Sequence, residues 1–306
     1  MRRFLLWCAK NRWMRTYVPR LPGMRRAVRR FMPGETMAEA LTAAETLEAQ
    51  GIPAVYTRLG ENLTQMAQAD AVAAHYHALI EEIAGRQMAG QISPKLTQLG
   101  LDLDPEATYC HCESLARHAH ATGSRFWIDM EDSSYVDRTL DLYVRLLDAQ
   151  PGVGVCLQAY LHRTPADIER LRPLGPAIRL VKGAYEESPE VALRAKRDVN
   201  AAYRELSLAM LPDADAGRLT LGLGTHDVEL VEDITRAGAD AGHGRDAFEV
   251  QMLFGIRADQ QRRLRADGYR VRVLIAYGDY WYPWYVRRLA ERPANVWFAL
   301  RQLLPW

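Results

Sequence analysis

From residue 36 onward, apolar and polar positions follow two alternating rhythms. Short β-prone runs fall at Ile52–Arg58, Gly90–Lys95, Arg125–Met130, Val153–Gln158, Ala177–Lys182, Leu219–Gly224, Ala247–Met252 and Val271–Tyr277, eight in all. Longer helical stretches fill the gaps, as at Leu63–Gly85, Glu106–Thr122, Tyr135–Gln150 and Pro189–Met210. Strand and helix in strict alternation predict a parallel sheet. Eight repeats predict closure, because open doubly wound sheets usually hold fewer strands. The expected class is therefore α/β, a (βα)8 TIM-like barrel. Thr36–Gln50 reads as a helix ahead of the first strand. With the residues before it, it makes an N-terminal helical extension, residues 1–50, in front of a barrel over 51–306. No Pro-, Gly- or Ser-rich linker interrupts the chain after residue 35.

Composition fits that picture. The 306 residues suit one large barrel, and 48% hydrophobic residues supply its core. A formal charge of +1 excludes a polycation as a whole. Basic residues gather instead at the start: Arg2, Arg3, Lys10, Arg12, Arg15, Arg20, Arg25, Arg26, Arg29 and Arg30 all precede the first acid, Glu35. Phe4, Leu5, Leu6, Trp7, Trp13 and Tyr17 are interleaved with them. Such a stretch can lie on an anionic membrane surface. The plainer expectation is a helical arm folded against the barrel with solvated arginines. Arg2-Arg3-Phe4-Leu5-Leu6 is similar to a twin-arginine export signal, but the apolar run stops at Lys10, short of the roughly 7–15-residue core a signal peptide needs. No apolar stretch reaches the roughly 18–20 residues that span a bilayer. Cys8, Cys110, Cys112 and Cys156 show no framework spacing. Reduced thiols and a cytoplasmic protein are expected.

A barrel of this kind places its site at the C-terminal ends of its strands. Polar residues collect there: Lys95, Asp129, Gln158, Arg179 with Lys182, Thr225-His226-Asp227, and Glu249 with Gln251, while Arg287 and Arg288 open the last helical region. Seven of the eight repeats thus send polar groups to one face. Any one of them alone would usually be structural; their convergence reads as a site. Lys95, Arg179, Lys182, Arg287 and Arg288 would make it cationic and ready for a carboxylate, a phosphate or a flavin ring that gains charge on reduction. Arginine's planar fork suits a carboxylate. A cation beside charge that develops during reaction favours the transition state.

Other motifs fail. Gly152-Val153-Gly154 lacks the third glycine of a dinucleotide-binding turn and opens a strand instead of following one. Cys110-His111-Cys112 with His118 and His120 does not match zinc spacings. Positions two apart on a helix also diverge by about 200°, so no metal is expected. His226 is open to three readings: a base, a cofactor contact, or a strand-end histidine bonded to backbone.

The strand-end blocks resemble the proline dehydrogenase family. They run in order: Arg30-Phe31-Met32-Pro33-Gly34-Glu35, Lys95-Leu96-Thr97-Gln98-Leu99-Gly100, Ile128-Asp129-Met130-Glu131-Asp132-Ser133, Gln158-Ala159-Tyr160, Arg179-Leu180-Val181-Lys182-Gly183-Ala184-Tyr185, Thr225-His226-Asp227, Phe248-Glu249-Val250-Gln251-Met252-Leu253 and Arg287-Arg288-Leu289-Ala290-Glu291-Arg292-Pro293-Ala294-Asn295. The resemblance, from about Arg30 to Leu304, implies a monofunctional, FAD-dependent enzyme that oxidises L-proline to 1-pyrroline-5-carboxylate and passes electrons to a membrane quinone. It implies that Lys95, Arg287 and Arg288 bind the substrate carboxylate, with Asp129 beside the substrate orienting Lys95 or an arginine. It assigns Met130, Gln158, Arg179, Lys182, Gly183, Ala184, Gly224, Thr225, His226 and Glu291 to the flavin, with Arg179 near its N5. Two positions depart from the family, where tyrosines are common: Leu274 and Trp284, which by the resemblance would line the ring pocket. A more apolar pocket disfavours hydroxyproline, the alternative substrate. A folate-reducing flavin barrel has no evident use for Arg287-Arg288. A Schiff-base aldolase on Lys95 or Lys182 would not need the neighbouring cations. A membrane or nucleic-acid module built on the arm alone is the remaining class; no nucleic acid is expected as a partner.

Overall fold

The computed structural model describes residues 11–17, 28–29, 31–60, 63–282 and 285–286. Strand and helix alternate through it. In chain order come α1 (Arg12–Tyr17), α2 (Met37–Glu48), β1 (Ala54–Arg58), α3 (Met66–Gly85), β2 (Gln91–Ile92), α4 (Pro105–Ala121), β3 (Trp127–Ile128), α5 (Val136–Ala149), β4 (Gly154–Gln158), α6 (Thr164–Leu171), β5 (Ala177–Val181), α7 (Lys196–Asp215), β6 (Thr220–Gly224), α8 (Val228–Asp240), β7 (Phe248–Leu253), α9 (Ala258–Ala266) and β8 (Arg270–Tyr277). All strand pairs are parallel, and the sheet order β2-β1-β8-β7-β6-β5-β4-β3 is that of a barrel. Its seam, between β2 and β3, is joined by single bridges at Ile92–Phe126 and Lys95–Asp129.

Local chemistry sets the helix starts. Thr36 and Glu39 cap α2 reciprocally, which satisfies backbone donors that have no partner within the helix. Asp104 accepts from the N–H groups of Glu106 and Ala107 at the head of α4, where Pro105 needs no donor.

Two departures from the sequence pattern bear on the site. β2 and β3 are shorter than their apolar runs, because Pro94 follows β2 and has no N–H to extend a ladder; its carbonyl instead accepts from Asp129 N–H at 3.0 Å. Residues 189–195 are not helical. They form a strap whose Leu193 N–H donates to Tyr160 O at 2.8 Å, and Ala192 bridges Leu161 antiparallel. α7 then begins at Lys196 and runs to Asp215.

Inward positions of a barrel strand alternate with outward ones. Val55, Trp127 and Ala177, with Leu274 against them, make an apolar layer inside the barrel. Gly154 makes room for the Trp127 ring, since a Cβ there would lie 2.2 Å from it. The main core lies between strands and helices. A separate apolar cluster joins Val28, Phe31 and Met32 to Trp281, Tyr282, Tyr285 and Val286 beyond β8, and Met14 of α1 packs on it. Trp281 Nε1 donates to Glu35 at 3.0 Å, fastening the lead-in to the segment that leaves the last strand.

Candidate active site

A cavity of about 560 Å3 opens where the strands end. Lys95, Asp129, Met130, Gln158, Arg179, Lys182, Gly183, Ala184, Gly224, Thr225, His226 and Leu274 all line it, as the sequence reading expected. Trp284, Arg287, Arg288 and Glu291 lie outside the described residues.

Arg179 is the buried centre of this cavity, 3% exposed. A guanidinium is tolerated there only when paired. Its Nη1 donates to Asp129 Oδ1 and to Ser93 Oγ, each at 2.9 Å, and its Nε donates to Gln251 Oε1. Ser93 Oγ also donates to Asp129 Oδ1 at 2.6 Å. The guanidinium carbon stands 4.6 Å from the Trp127 ring centroid, a cation–π contact of about 2 kcal/mol when desolvated. The arginine that Asp129 bonds among the described residues is thus Arg179. The Nη2 of Arg179 and the Oε1 of Gln158 are buried with no hydrogen-bond partner among the described residues. Gln158 is held by its other end, Nε2 donating to Glu131 O at 3.2 Å. Two fixed polar groups lining one cavity, each with an unmet bond, mark where a polar ligand fits.

A second cation is set across β5. Lys182 Nζ donates to Asp227 and Asn200, each at 2.7 Å. Burial pushes the Asp227 carboxyl up, but the Lys182 bond and charge, with help from Leu230 N–H and Lys196, hold it below its ordinary value. This engagement of Lys182 leaves little for a Schiff-base role. Near Lys95, burial pushes the Glu131 carboxyl up against the pull of the Lys95 charge and of bonds from Thr97. Burial also pushes the Cys156 thiol up to about 12, so it is no thiolate nucleophile near neutral pH. His226 Nε2 accepts from Leu253 N–H at 3.4 Å. That is the backbone-bonded arrangement among its three readings.

Some residues sit elsewhere than expected, or were missed. Glu249 is not a strand-end group: it is the second residue of β7, deeper in the barrel than the cavity lining, where it meets Arg272 at 2.9 Å and Gln251 at 2.8 Å. The resemblance assigns Gly183 to the flavin. A Cβ there would lie 2.2 Å from the Tyr160 ring, at φ +113°, so the fold itself demands glycine. The first repeat, which had supplied nothing to the site, contributes Thr57, Arg58, Leu59 and Gly60 to the wall. A charged residue closing the first β-prone run was the available signal. Tyr185, Lys196 and Tyr280 also line the cavity. Among the described residues, its charged lining comprises five cations (Arg58, Lys95, Arg179, Lys182, Lys196) against two carboxylates (Asp129, Asp227).

The histidines and cysteines of α4 do not converge. His111 turns to Asp70, His118 pairs with His77 and Glu81, and Cys112 is buried. Among the described residues no three His, Cys, Asp or Glu groups are arranged to hold a metal ion. No described helix is long and apolar enough to cross a membrane.

A family model described as "Proline dehydrogenase" matches residues 40–301. Proline dehydrogenase 1 of Bacillus subtilis (strain 168) is 35% identical over 304 residues, 99% of either chain. Proline dehydrogenase of Deinococcus radiodurans is 38% identical over 281 residues, 90% of this chain and 89% of that one. Among solved structures, proline utilization A from Bdellovibrio bacteriovorus, inactivated by N-propargylglycine, superposes with a TM-score of 0.80 at 21% identity. That likeness, over 87% of this chain and 32% of the longer protein, shows a shared barrel fold. With the family model spanning most of its length and relatives matched almost end to end, this chain belongs to the proline dehydrogenase family.

Proposed function

We propose that the protein oxidises L-proline to 1-pyrroline-5-carboxylate, the first step of proline degradation, with FAD as its cofactor. One observation carries this reading. Arg179 and Gln158 line a cationic cavity, and each keeps a buried hydrogen-bonding atom with no partner among the described residues, which fits an electron-rich ring system that becomes anionic. FAD, when bound, supplies the flavin N5 that accepts the hydride. Gln158, Arg179, Lys182 and the backbone at Gly183 and Ala184 would hold it, with Met130, Gly224, Thr225, His226 and Glu291 around it. Lys95, Arg287 and Arg288 would bind the proline carboxylate, and Leu274 and Trp284 would cover its ring. Asp129 keeps Arg179 aimed and stands beside the substrate. The hydride leaves the ring carbon next to nitrogen, so the amine must be unprotonated. The residues then act mainly by position, at a near-attack distance of roughly 3–3.5 Å.

The test is an absorbance spectrum of the purified protein before and after adding L-proline. A flavin band that bleaches is expected. A colourless preparation that cannot be reconstituted with FAD would sink the proposal.

Electrons are proposed to pass to a membrane quinone, with peripheral contact through the basic arm. In support, Trp13 and Tyr17 of α1 are 65% and 50% exposed and lie 5.3 Å apart between ring centroids, tilted by 38°, while Met14 packs inward. Exposed aromatics among arginines suit the interface of an anionic bilayer. Trp13→Ser with Tyr17→Ser is expected to cut co-sedimentation with anionic vesicles several-fold and to leave dye-linked proline oxidation unchanged. Equal sedimentation of variant and parent would remove the arm from this role.

A further inference from the structure

The interior of the barrel beneath the cavity carries a polar chain that no apolar core requires. It starts at Arg272 on β8, whose Nη1 donates to Ala54 O at 3.1 Å and Ala89 O at 2.7 Å. Arg272 Nε donates to Glu249 Oε1 at 2.9 Å. The same oxygen accepts from Gln251 Nε2 at 2.8 Å. Gln251 Oε1 in turn accepts from Arg179 Nε. The donors and acceptors permit one direction only. An ionised Glu249 only accepts and an arginine only donates, so the Gln251 amide must face its N–H groups to one and its oxygen to the other. A flipped amide would oppose like groups at both ends.

Neighbouring strands leave a gap for this bridge. Arg179 pairs in register with Gly222 on β6, and Gly222 with Glu249 on β7. A Cβ on Gly222 would lie 3.0 Å from Gln251 Nε2 and 3.1 Å from its Cδ. The missing side chain lets Gln251 reach across β6 to β5. On the opposite side, Ser93 Oγ closes the cradle by bonding Arg179 and Asp129. With Nε and Nη1 engaged, Nη2 is left buried without a partner among the described residues.

We infer that Gln251, backed by Glu249 and Arg272, is a positioning residue for Arg179. It locks the guanidinium plane so that Nη2 meets the flavin. Ser93 performs the same task from the other side. This rests on the FAD reading above, which the proline-bleaching spectrum tests separately. If that spectrum succeeds and the variants below behave as the parent, only this inference fails.

The measurement is the midpoint potential of the bound flavin, with kcat and KM for proline beside it. Gln251→Leu keeps the volume and removes both bonds. Its expected effect is a tenfold shift of the flavin equilibrium toward the oxidised form, about 30 mV lower for a two-electron couple. A kcat about tenfold lower, with KM changed less than about twofold, is expected beside it, on the low side of losing one aimed donor. In an Arg179→Met background Gln251→Leu should add nothing, the signature of residues acting as one unit. An unchanged potential, a rise in KM alone, or full additivity with Arg179→Met each overturns the proposal. Should Gln251→Leu not fold, Ser93→Ala carries the test. It removes one hydroxyl from the same cradle, and an unchanged potential there overturns the proposal as well.

Discussion

Arg179→Met is expected to lower kcat/KM for proline by about 10²–10³-fold while FAD remains bound, as loss of one preorganised donor at developing charge does elsewhere. Arg179 is held by Asp129, Ser93, Gln251 and the Trp127 face, so it costs no reorganisation when charge appears in the cavity. Methionine matches its length and apolar stem but supplies neither charge nor donor. The substitution also leaves Asp129 unpaired on one side, and breaking a buried pair costs about 3–5 kcal/mol of stability. Thermal midpoints must therefore be read beside the kinetics. Arg179→Lys separates the two effects, since it keeps the charge and loses the planar fork. It should recover part of the rate if charge dominates and little if the aimed N–H dominates. Turnover within about threefold of the parent in a flavin-loaded Arg179→Met would remove Arg179 from the chemistry.

The barrel was legible because short β-prone runs and helical stretches alternate without a break, and because polar residues collect at or just beside the ends of most runs. The site residues of β2 to β6 followed from that same rule. What escaped depended on facts that spacing does not carry. Glu249 and Gln251 share the inner face of β7, but two residues along a strand are about 6–7 Å of depth. Only two positions apart in sequence, they serve different layers. The partner of Glu249 is Arg272, on a strand whose register is set only when the barrel closes. Residues 189–195 read as helix from composition. Pairing with Tyr160 and Leu161 overrides that propensity. Gly183 carries its own constraint, since the close neighbour in the chain itself is the ring of Tyr160.

Arg287→Ala is expected to raise KM for proline by about 10²-fold or more and to leave the flavin spectrum unchanged. Truncating one partner of a buried, hydrogen-bonded charge pair costs about 2–5 kcal/mol, and each 1.4 kcal/mol is about tenfold. Arg287 and Arg288 lie outside the described residues, but the segment leading to them is described. Tyr280 lines the cavity, and Trp281, Tyr282, Tyr285 and Val286 bury themselves against Phe31 and Met32. The chain just ahead of the pair is thus anchored beside the site. The sequence pattern opens the last helical region at this pair, and neighbours on a helix diverge by about 100°, so both arginines would reach one carboxylate only from different sides of it. Their effects should then differ in size but not in kind: KM moves and kcat moves less, because carboxylate binding is the same before and during hydride loss. Pyrrolidine, the substrate ring without its carboxylate, provides the control. The parent should prefer proline over pyrrolidine strongly, and Arg287→Ala should shrink that preference by the factor that it adds to the KM of proline. If the preference survives intact, the carboxylate is gripped from the described side of the cavity. Lys95 is then its holder, and Lys95→Met would carry the loss instead.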